Sequence, residues 1–284
     1  MKRSLDLLQL GITVSCMMSG CVSFQKVNDY AASSLKSLKK YDEIGYSYTR
    51  ACRDKCNMEQ IRFLRLSKDV CACGTEKTAD SVITVLYNSV KGYYDGLNKL
   101  SANKLTSYKT EALTKVLKSG QFGDLKIEKA EVDAYAKLSS LMLTAITDGY
   151  RSKKIKIYIA GANESIQILL KSLEYSLASN LTGKLTIHKQ RIESIYFDLV
   201  NDSLASAFEK KRAIDEYNGL NEETDIRHKQ IMSFSKSLKN ISAGHQVLYE
   251  HRNKMNAKEI RELLARYASE LEDLVSEFNK LKSK

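Results

Sequence analysis

The sequence contains no proline and no tryptophan, and its 284 residues include only 13 glycines. Proline removes a backbone donor and clashes with the preceding helical turn, so its absence leaves long helices free to continue without a break. Glycine is the other residue that disfavours helix interiors. A chain this poor in both residues is typical of an all-α protein, and its length is sufficient for a substantial core.

The sequence also lacks the short motifs that mark common enzyme classes. It has no glycine-rich phosphate loop, no Gly-x-Ser-x-Gly elbow and no His-Glu-x-x-His zinc motif. Its four histidines, which are not grouped with other metal ligands, are His188, His228, His245 and His251. We therefore predict no catalytic, cofactor-binding or metal-binding residue and expect a protein that is not an enzyme. His245 falls on an apolar helix stripe, where a packed histidine with a satisfied partner is favoured over a metal or pH-sensing role.

No apolar run in the N-terminal region is long enough to span a bilayer, which takes roughly 20 residues. Lys2 and Arg3 instead precede a shorter apolar run over residues 7–18, which is the layout of a secretory signal. The run ends at the tetrapeptide Met18-Ser19-Gly20-Cys21. Because small residues stand directly before the cysteine, residues 1–22 resemble bacterial lipoprotein precursors.

This resemblance implies that residues 1–20 are removed as a signal peptide and that Cys21 is acylated on its sulfur and its amine. Several acyl chains together anchor a protein firmly in a bilayer, whereas one alone binds marginally. In lipoproteins of two-membrane bacteria, a residue such as Val22 after the cysteine implies export to the outer membrane, facing the periplasm. The alternatives are an ordinary secretory signal that leaves Cys21 as a plain thiol, and an uncleaved N-terminal helix.

Apart from Cys16 in the predicted signal and Cys21 at the predicted lipid site, four cysteines are present, an even number that predicts two disulfides in an exported protein. Cys52 and Cys56 share one face of a helix, and Cys71 and Cys73 share one side of an extended segment. A chain that doubles back brings the outer and the inner cysteines together, so we predict the nested bonds Cys52–Cys73 and Cys56–Cys71. The alternatives are a catalytic dithiol and a four-thiolate zinc site, for which the second pair is too closely spaced.

The net charge of +11 shows that basic residues outnumber acidic ones. A basic protein can bind nucleic acid, an anionic membrane surface or an acidic polymer, and export argues against nucleic acid. The basic residues are scattered, and the densest run, over residues 151–156, has no aromatic residues flanking it in a stacking pattern. We favour a solvated Lys-rich surface. Binding of an anionic envelope glycan or lipid is the alternative, and it requires the lysines to cluster in the fold.

Apolar residues that recur every three to four positions predict helices along most of the chain. We expect a long helix over 23–56, a short one from Asn57 to about residue 68, and a third that starts at residue 75 or 78 and ends near 100. A fourth is expected over 105–117, ending at the glycines of 120–123.

The second half of the chain is expected to contain longer helices. Residues 127–181 predict one very long helix or two collinear ones. Residues 154–159 alternate lysine and isoleucine as a strand would, but Ile155 and Ile159 also fit a helical face, so we predict that this stretch is helical. Gly183 predicts a turn, followed by a helix over 187–217 that ends at Asn218-Gly219. The last helix carries a heptad seam, which must face another helix. The seam residues are Ile260, Leu264, Tyr267, Leu271, Leu274, Phe278 and Leu281. We favour packing within the chain over a homo-oligomer or a partner helix.

We therefore predict an elongated all-α bundle of about five to seven long antiparallel helices with a disulfide-stapled hairpin near its N-terminus. The predicted division is a signal over 1–20, a stapled helical region over 21–122 and a long-helix bundle over 123–284, the last two of which can form one domain. The expected function is that of an outer-membrane-anchored, non-enzymatic scaffold that binds an envelope protein. Examples are a secretion or conjugation accessory and an immunity or exclusion factor.

Overall fold

The computed structural model describes residues 21–65, 71–107, 125–255 and 257–282. These residues form helices with short 3₁₀ and π segments and contain no strand, which confirms the predicted all-α class. The α-helices are α1 Cys21–Leu38, α2 Tyr48–Arg62, α3 Gly74–Ser101, α4 Lys129–Thr147, α5 Ile155–Tyr175, α6 Thr182–Asn201, α7 Ala207–Glu250 and α8 Lys258–Lys282. Of the helix predicted over 105–117, residues 105–107 are described and are not helical, and the rest lies outside the described residues, as do residues 120–123.

The helices pack antiparallel into an elongated bundle, as predicted. The 44 residues of α7 give it a length of about 66 Å at 1.5 Å per residue. α8 returns along the second half of α7 and also packs on α1. α6 runs along the first half of α7, and α4 packs on α5. A single main core takes buried side chains from both predicted regions, for example Tyr30 and Tyr94 from the first and Leu238 from the second.

One end of the bundle, called the base, contains the start of α1, the end of α3 and the turn between α4 and α5. The Asn28 side-chain amide donates to the Asn98 carbonyl at 2.9 Å, which places the first turns of α1 beside the last turn of α3. The Arg151 guanidinium donates to the Asn103 carbonyl at 3.2 Å, which joins the α4–α5 turn to the same end.

The opposite end is a narrower arm, formed by α2, α6 and residues 207–224 of α7. The Ser233 hydroxyl on α7 approaches the Leu274 carbonyl on α8 at 3.5 Å, and α8 ends eight residues later, so the first half of α7 extends beyond it. A separate small core, which contains Met58 of α2 and Ile192 of α6, fills the arm. The turn over 202–206 and the adjoining helix ends form the tip of the arm.

The prediction of one helix over 23–56 is wrong, because the chain leaves α1 and passes through a 3₁₀ turn, Lys39–Glu43, before α2 begins. Gly45 adopts a φ of +65°, a left-handed conformation that interrupts a helix and favours glycine. The Asp80 carboxylate on α3 accepts the backbone N–H groups of Tyr48 and Thr49 at 2.8 and 2.9 Å and so caps α2. Asn57 then lies inside α2 instead of starting a helix.

The prediction for 127–181 is also wrong. The chain reverses at 148–151, where Gly149 has a φ of +57°, and α5 packs back against α4. The prediction that 154–159 is helical is confirmed, because Lys154 ends a 3₁₀ turn and residues 155–159 begin α5.

The turn expected at Gly183 is absent, because a π-helical segment, Ser176–Leu181, joins α5 to α6. Asn218 and Gly219 lie inside α7. The observed break comes earlier, where Ser206 and Glu209 form a capping box at the start of α7.

The heptad face of α8 packs within the chain, against α7 and α1. Ile260, Leu264, Leu271 and Phe278 of the predicted seam are buried. Val275 is buried where the seam predicts Leu274, because a straight helix drifts away from a strict seven-residue repeat.

Candidate functional site

The disulfides join α2 to the start of α3. Cys52 bonds Cys73, with their Cα atoms 5.9 Å apart, and Cys56 bonds Cys71 at 6.2 Å. This is the nested pairing predicted from the spacing, and it confirms the disulfide-stapled hairpin of the predicted fold class. The two bonds hold the outer helix of the arm on the main bundle. Cys21 is the first residue of α1, and its acylation stays a prediction.

His245 lies fully buried in a cluster of tyrosines at the centre of the bundle. Its Nδ1 is 2.9 Å from the Asn163 Oδ1 and its Nε2 is 2.6 Å from the Tyr93 hydroxyl. Because Asn163 Oδ1 can only accept, we assign the proton to Nδ1, and Nε2 then accepts from Tyr93. Burial lowers the pKa of His245 to about 3, so the imidazole is neutral. Both ring nitrogens have partners, as expected for a packed histidine.

The tyrosines around His245 are held in place by hydrogen bonds and ring stacking. The Tyr30 hydroxyl donates to the Ile241 carbonyl at 2.5 Å, and Tyr158 stacks on Tyr93 with ring centroids 4.9 Å apart. Burial raises the pKa of Tyr93 and of Tyr94 well above the ordinary value, so both phenols stay protonated. A Cβ at Gly244 would lie 2.5 Å from the Tyr30 ring, so only glycine lets α1 approach α7 this closely. The cluster is a packed polar core.

A second buried polar cluster holds the arm together. Asp54 of α2 is only 5% exposed, and its Oδ1 lies 2.8 Å from the Arg50 Nε. Its Oδ2 faces His188 of α6 at 4.0 Å and Arg227 of α7 at 3.9 Å. Burial, and then the surrounding arginines, lower the pKa of His188 against the opposing effect of Asp54. One carboxylate thus faces cationic or neutral donors from three helices.

This cluster does not have the geometry of an acid–base pair. The 4.0 Å separation of Asp54 and His188 is too long for a hydrogen bond, so the carboxylate does not orient the imidazole. Within the described part of the chain, no group of three His, Cys, Asp or Glu residues could hold a metal ion. The sequence held no signal for the cluster, because Asp54, His188 and Arg227 are far apart in the chain.

The tip exposes an unusual amount of apolar surface. Six of the eleven large apolar side chains that are exposed among the described residues lie at the ends of α2, α6 and α7. They are Phe63, Leu64, Phe197, Leu204, Phe208 and Ile214. Leu204 is 92% exposed and Phe208 is 74% exposed, so neither side chain contributes much to the core of the protein. Grouped apolar residues of this kind mark interaction surfaces.

Two clefts on either side of the α6–α7 hairpin shape this surface. One, of about 460 Å³, lies between Leu64, just after α2, and Leu204 of the hairpin turn. The other, of about 430 Å³, contains Phe197 and Ile214. Tyr196 lines both. Their charged rim residues are Glu193, Asp202, Glu209, Arg212 and Glu216. The rim is therefore mainly acidic in a protein that is basic overall.

Comparison of the chain with models of protein families, with curated proteins and with solved structures gives no match. The fold and its surfaces define an elongated, disulfide-stapled helical bundle with an apolar tip. None of the helices in the described ranges combines the length and the apolar character needed to cross a bilayer.

Proposed function

We propose that this protein is a non-enzymatic helical scaffold of the bacterial envelope, anchored at the outer membrane through acylated Cys21, that binds a partner protein with its tip. The observation that carries the proposal is the apolar surface at the tip. Phe63 and Leu64 directly follow α2, and the other four side chains belong to the α6–α7 hairpin, so the fold brings together residues about 140 positions apart.

The length of the molecule supports this arrangement. α1 starts at the base, and α7 extends about 66 Å from the base to the tip. An anchor at Cys21 would hold the tip some 60 Å from the bilayer surface, by the rise per residue of α7. Tethering of this kind raises the local concentration of the binding surface near membrane-associated partners.

The chemistry of the tip indicates the kind of partner. The two clefts offer apolar side chains at the bottom and mainly carboxylates at the rim. An amphipathic helix that has apolar residues on one face and Lys or Arg at the edges of that face would match both features. We propose such a basic amphipathic segment of an envelope protein as the occupant of the clefts.

The anchor is tested by intact mass after expression of the full chain in a bacterial host. We expect a membrane-bound species that starts at Cys21, has the added mass of acyl chains, and has four thiols that alkylate only after reduction. Cys21→Ala is the matched control and is expected to lose the acyl mass. A soluble parent chain that keeps residues 1–20 would contradict the anchor.

The tip is tested by carbene footprinting of the full chain in bacterial envelopes and after purification. We expect labelling of Phe197 to fall in the envelope, while labelling of Tyr175, which is exposed outside the tip, stays the same. The double variant Leu204→Glu and Phe208→Glu should abolish this protection, and Tyr175→Glu should not. Equal labelling of Phe197 in both states would contradict the proposal, as would protection that lipid vesicles alone reproduce.

A further inference from the structure

Basic residues that are far apart in the sequence collect at the base. The segments 99–104, 148–156 and 251–258 contain nine Lys or Arg residues and one acidic residue, Asp148. These three short segments therefore carry most of the chain's net charge of +11. The hydrogen bond from Arg151 to the Asn103 carbonyl joins the first two segments directly.

The third segment reaches the same end through the pairing of α5 with α7. Asn163 of α5 donates to Gln246 of α7 at 3.2 Å, and the two helices are antiparallel, since Gln167 lies beside Ser242. Lys156 is seven residues before Asn163, and Arg252 is six residues after Gln246. Lys156 therefore lies about 10 Å further toward the base at 1.5 Å per residue, and α7 runs about 6 Å further toward it before ending at Glu250, two residues before Arg252.

Most of these cations are not neutralised by neighbours. Lys99 pairs with Asp95 and Lys258 with Glu262. For the other seven, the structure shows no ion pair with any acidic residue in the described ranges. They are Lys104, Arg151, Lys153, Lys154, Lys156, Arg252 and Lys254. All are at least partly exposed, so the base presents these cations to the solvent.

Exposed apolar side chains lie at the same end of the bundle as the cations. Leu105 follows α3, Leu143 lies one turn before the end of α4, and Ile157 is in the first turn of α5. Their exposed fractions are 54%, 42% and 55%. Lysines and arginines interspersed with exposed leucine and isoleucine match the boundary between lipid headgroups and acyl chains.

We propose that the base binds the surface of a bilayer that contains anionic phospholipid. The cations would face the lipid phosphates, and Leu105 and Ile157 would enter the headgroup region. Phospholipid is favoured over a soluble anionic glycan for two reasons. α1 starts at the base, so the anchor proposed at Cys21 would bring the base to a bilayer, a reason that rests on the proposed function. In addition, a glycan makes no use of exposed aliphatic side chains. The proposal goes beyond partner binding at the tip, which lies at the opposite end, and the base needs no acyl chain to act.

The test is flotation of the chain with phosphatidylcholine vesicles that contain or lack phosphatidylglycerol. The chain used is residues 21–284 with Cys21→Ser, which carries no acyl group and retains all the core residues that are buried in the described ranges. We expect binding only to the phosphatidylglycerol vesicles. We also expect this binding to weaken strongly when the salt rises from about 0.05 M to about 0.5 M, because the Debye length shrinks severalfold.

Matched variants distinguish binding through the base from attraction by the net charge of the protein. The base variant combines Lys104→Gln, Lys153→Gln, Lys156→Gln and Lys254→Gln. The control variant removes four exposed lysines outside the base, by Lys55→Gln, Lys77→Gln, Lys229→Gln and Lys236→Gln. A lysine near an anionic surface contributes about fivefold in affinity, so the base variant should lose at least about tenfold. The control variant should lose less than about threefold, with circular dichroism unchanged for both.

Two outcomes would overturn the proposal. An equal loss in both variants would show attraction by net charge alone, and absence of binding to phosphatidylglycerol vesicles would remove phospholipid as the ligand, even if an anionic glycan bound instead. Neither outcome bears on the tip, whose footprint is measured on a different surface.

Discussion

Replacing Asp54 with alanine is expected to lower the free energy of unfolding by about 3 kcal/mol, since removing one partner of a buried ionic cluster leaves the others uncompensated. Asp54 lies between Arg50, His188 and Arg227, which come from α2, α6 and α7. Without the carboxylate, these donors face one another in a partly buried space. Urea unfolding followed by circular dichroism measures the change.

The control for Asp54 is an exposed ion pair on the same arm. Asp215 pairs with Lys211 at 2.5 Å, with 62% and 73% of the two side chains exposed. Asp215→Ala should change the free energy of unfolding by less than about 0.5 kcal/mol. Asp54→Asn keeps the shape of the side chain and removes its charge. Stability of this variant equal to that of the parent would show that charge is not what Asp54 contributes.

Acid is expected to destabilise the protein through His245. The pKa of its imidazole is about 3 in the fold and about 6.5 in an unfolded chain. The unfolded state therefore binds more protons below pH 6.5, and stability falls as the pH drops from 6.5 toward 3. At 1.36 kcal/mol per pH unit, this difference amounts to about 3 kcal/mol by pH 4.5.

The contribution of His245 can be measured by comparing how the free energy of unfolding changes with pH in His245→Asn and in the parent. The variant has a cavity and is less stable at neutral pH, but it should lose less further stability than the parent between pH 7 and pH 4.5. His228→Asn, at an exposed position of the same helix, should keep the slope of the parent. Parallel pH profiles for His245→Asn and the parent would show that the buried imidazole is not the source of the acid sensitivity.

The parts of the fold that could be predicted are those that depend on neighbours along the chain. The disulfide pairing follows from Cys52, Cys56, Cys71 and Cys73, which all lie within residues 52–73. The helical character of α5 and α8 follows from apolar spacing alone. The periodicity is local, and no distant contact is needed to recognise it.

The helix boundaries could not be predicted in the same way. Gly45 and Gly149 end helices with a positive φ, whereas Gly183 and Gly219 lie inside helices. Glycine tolerates both conformations, and the choice depends on whether the chain must reverse to bury its apolar face. Asp80, which caps α2 from another helix, shows that some helix starts are set by tertiary contacts.

The candidate surfaces depended on tertiary structure altogether. The apolar tip combines Leu64 with Leu204, and the base combines Arg151 with Arg252, in each case about 100 residues or more apart. In the sequence the lysines look scattered and the exposed aliphatic residues look like ordinary core positions.

The sequence by itself therefore determined the helical class, the nested disulfides and the expectation of an anchor at Cys21, because each rests on residue type and spacing within a few turns of chain. Only the tertiary structure decided where the chain reverses, and so which charges and apolar side chains share a surface. The physical reason is that burial of apolar area rewards the packing of whole helices, and this packing places distant residues together.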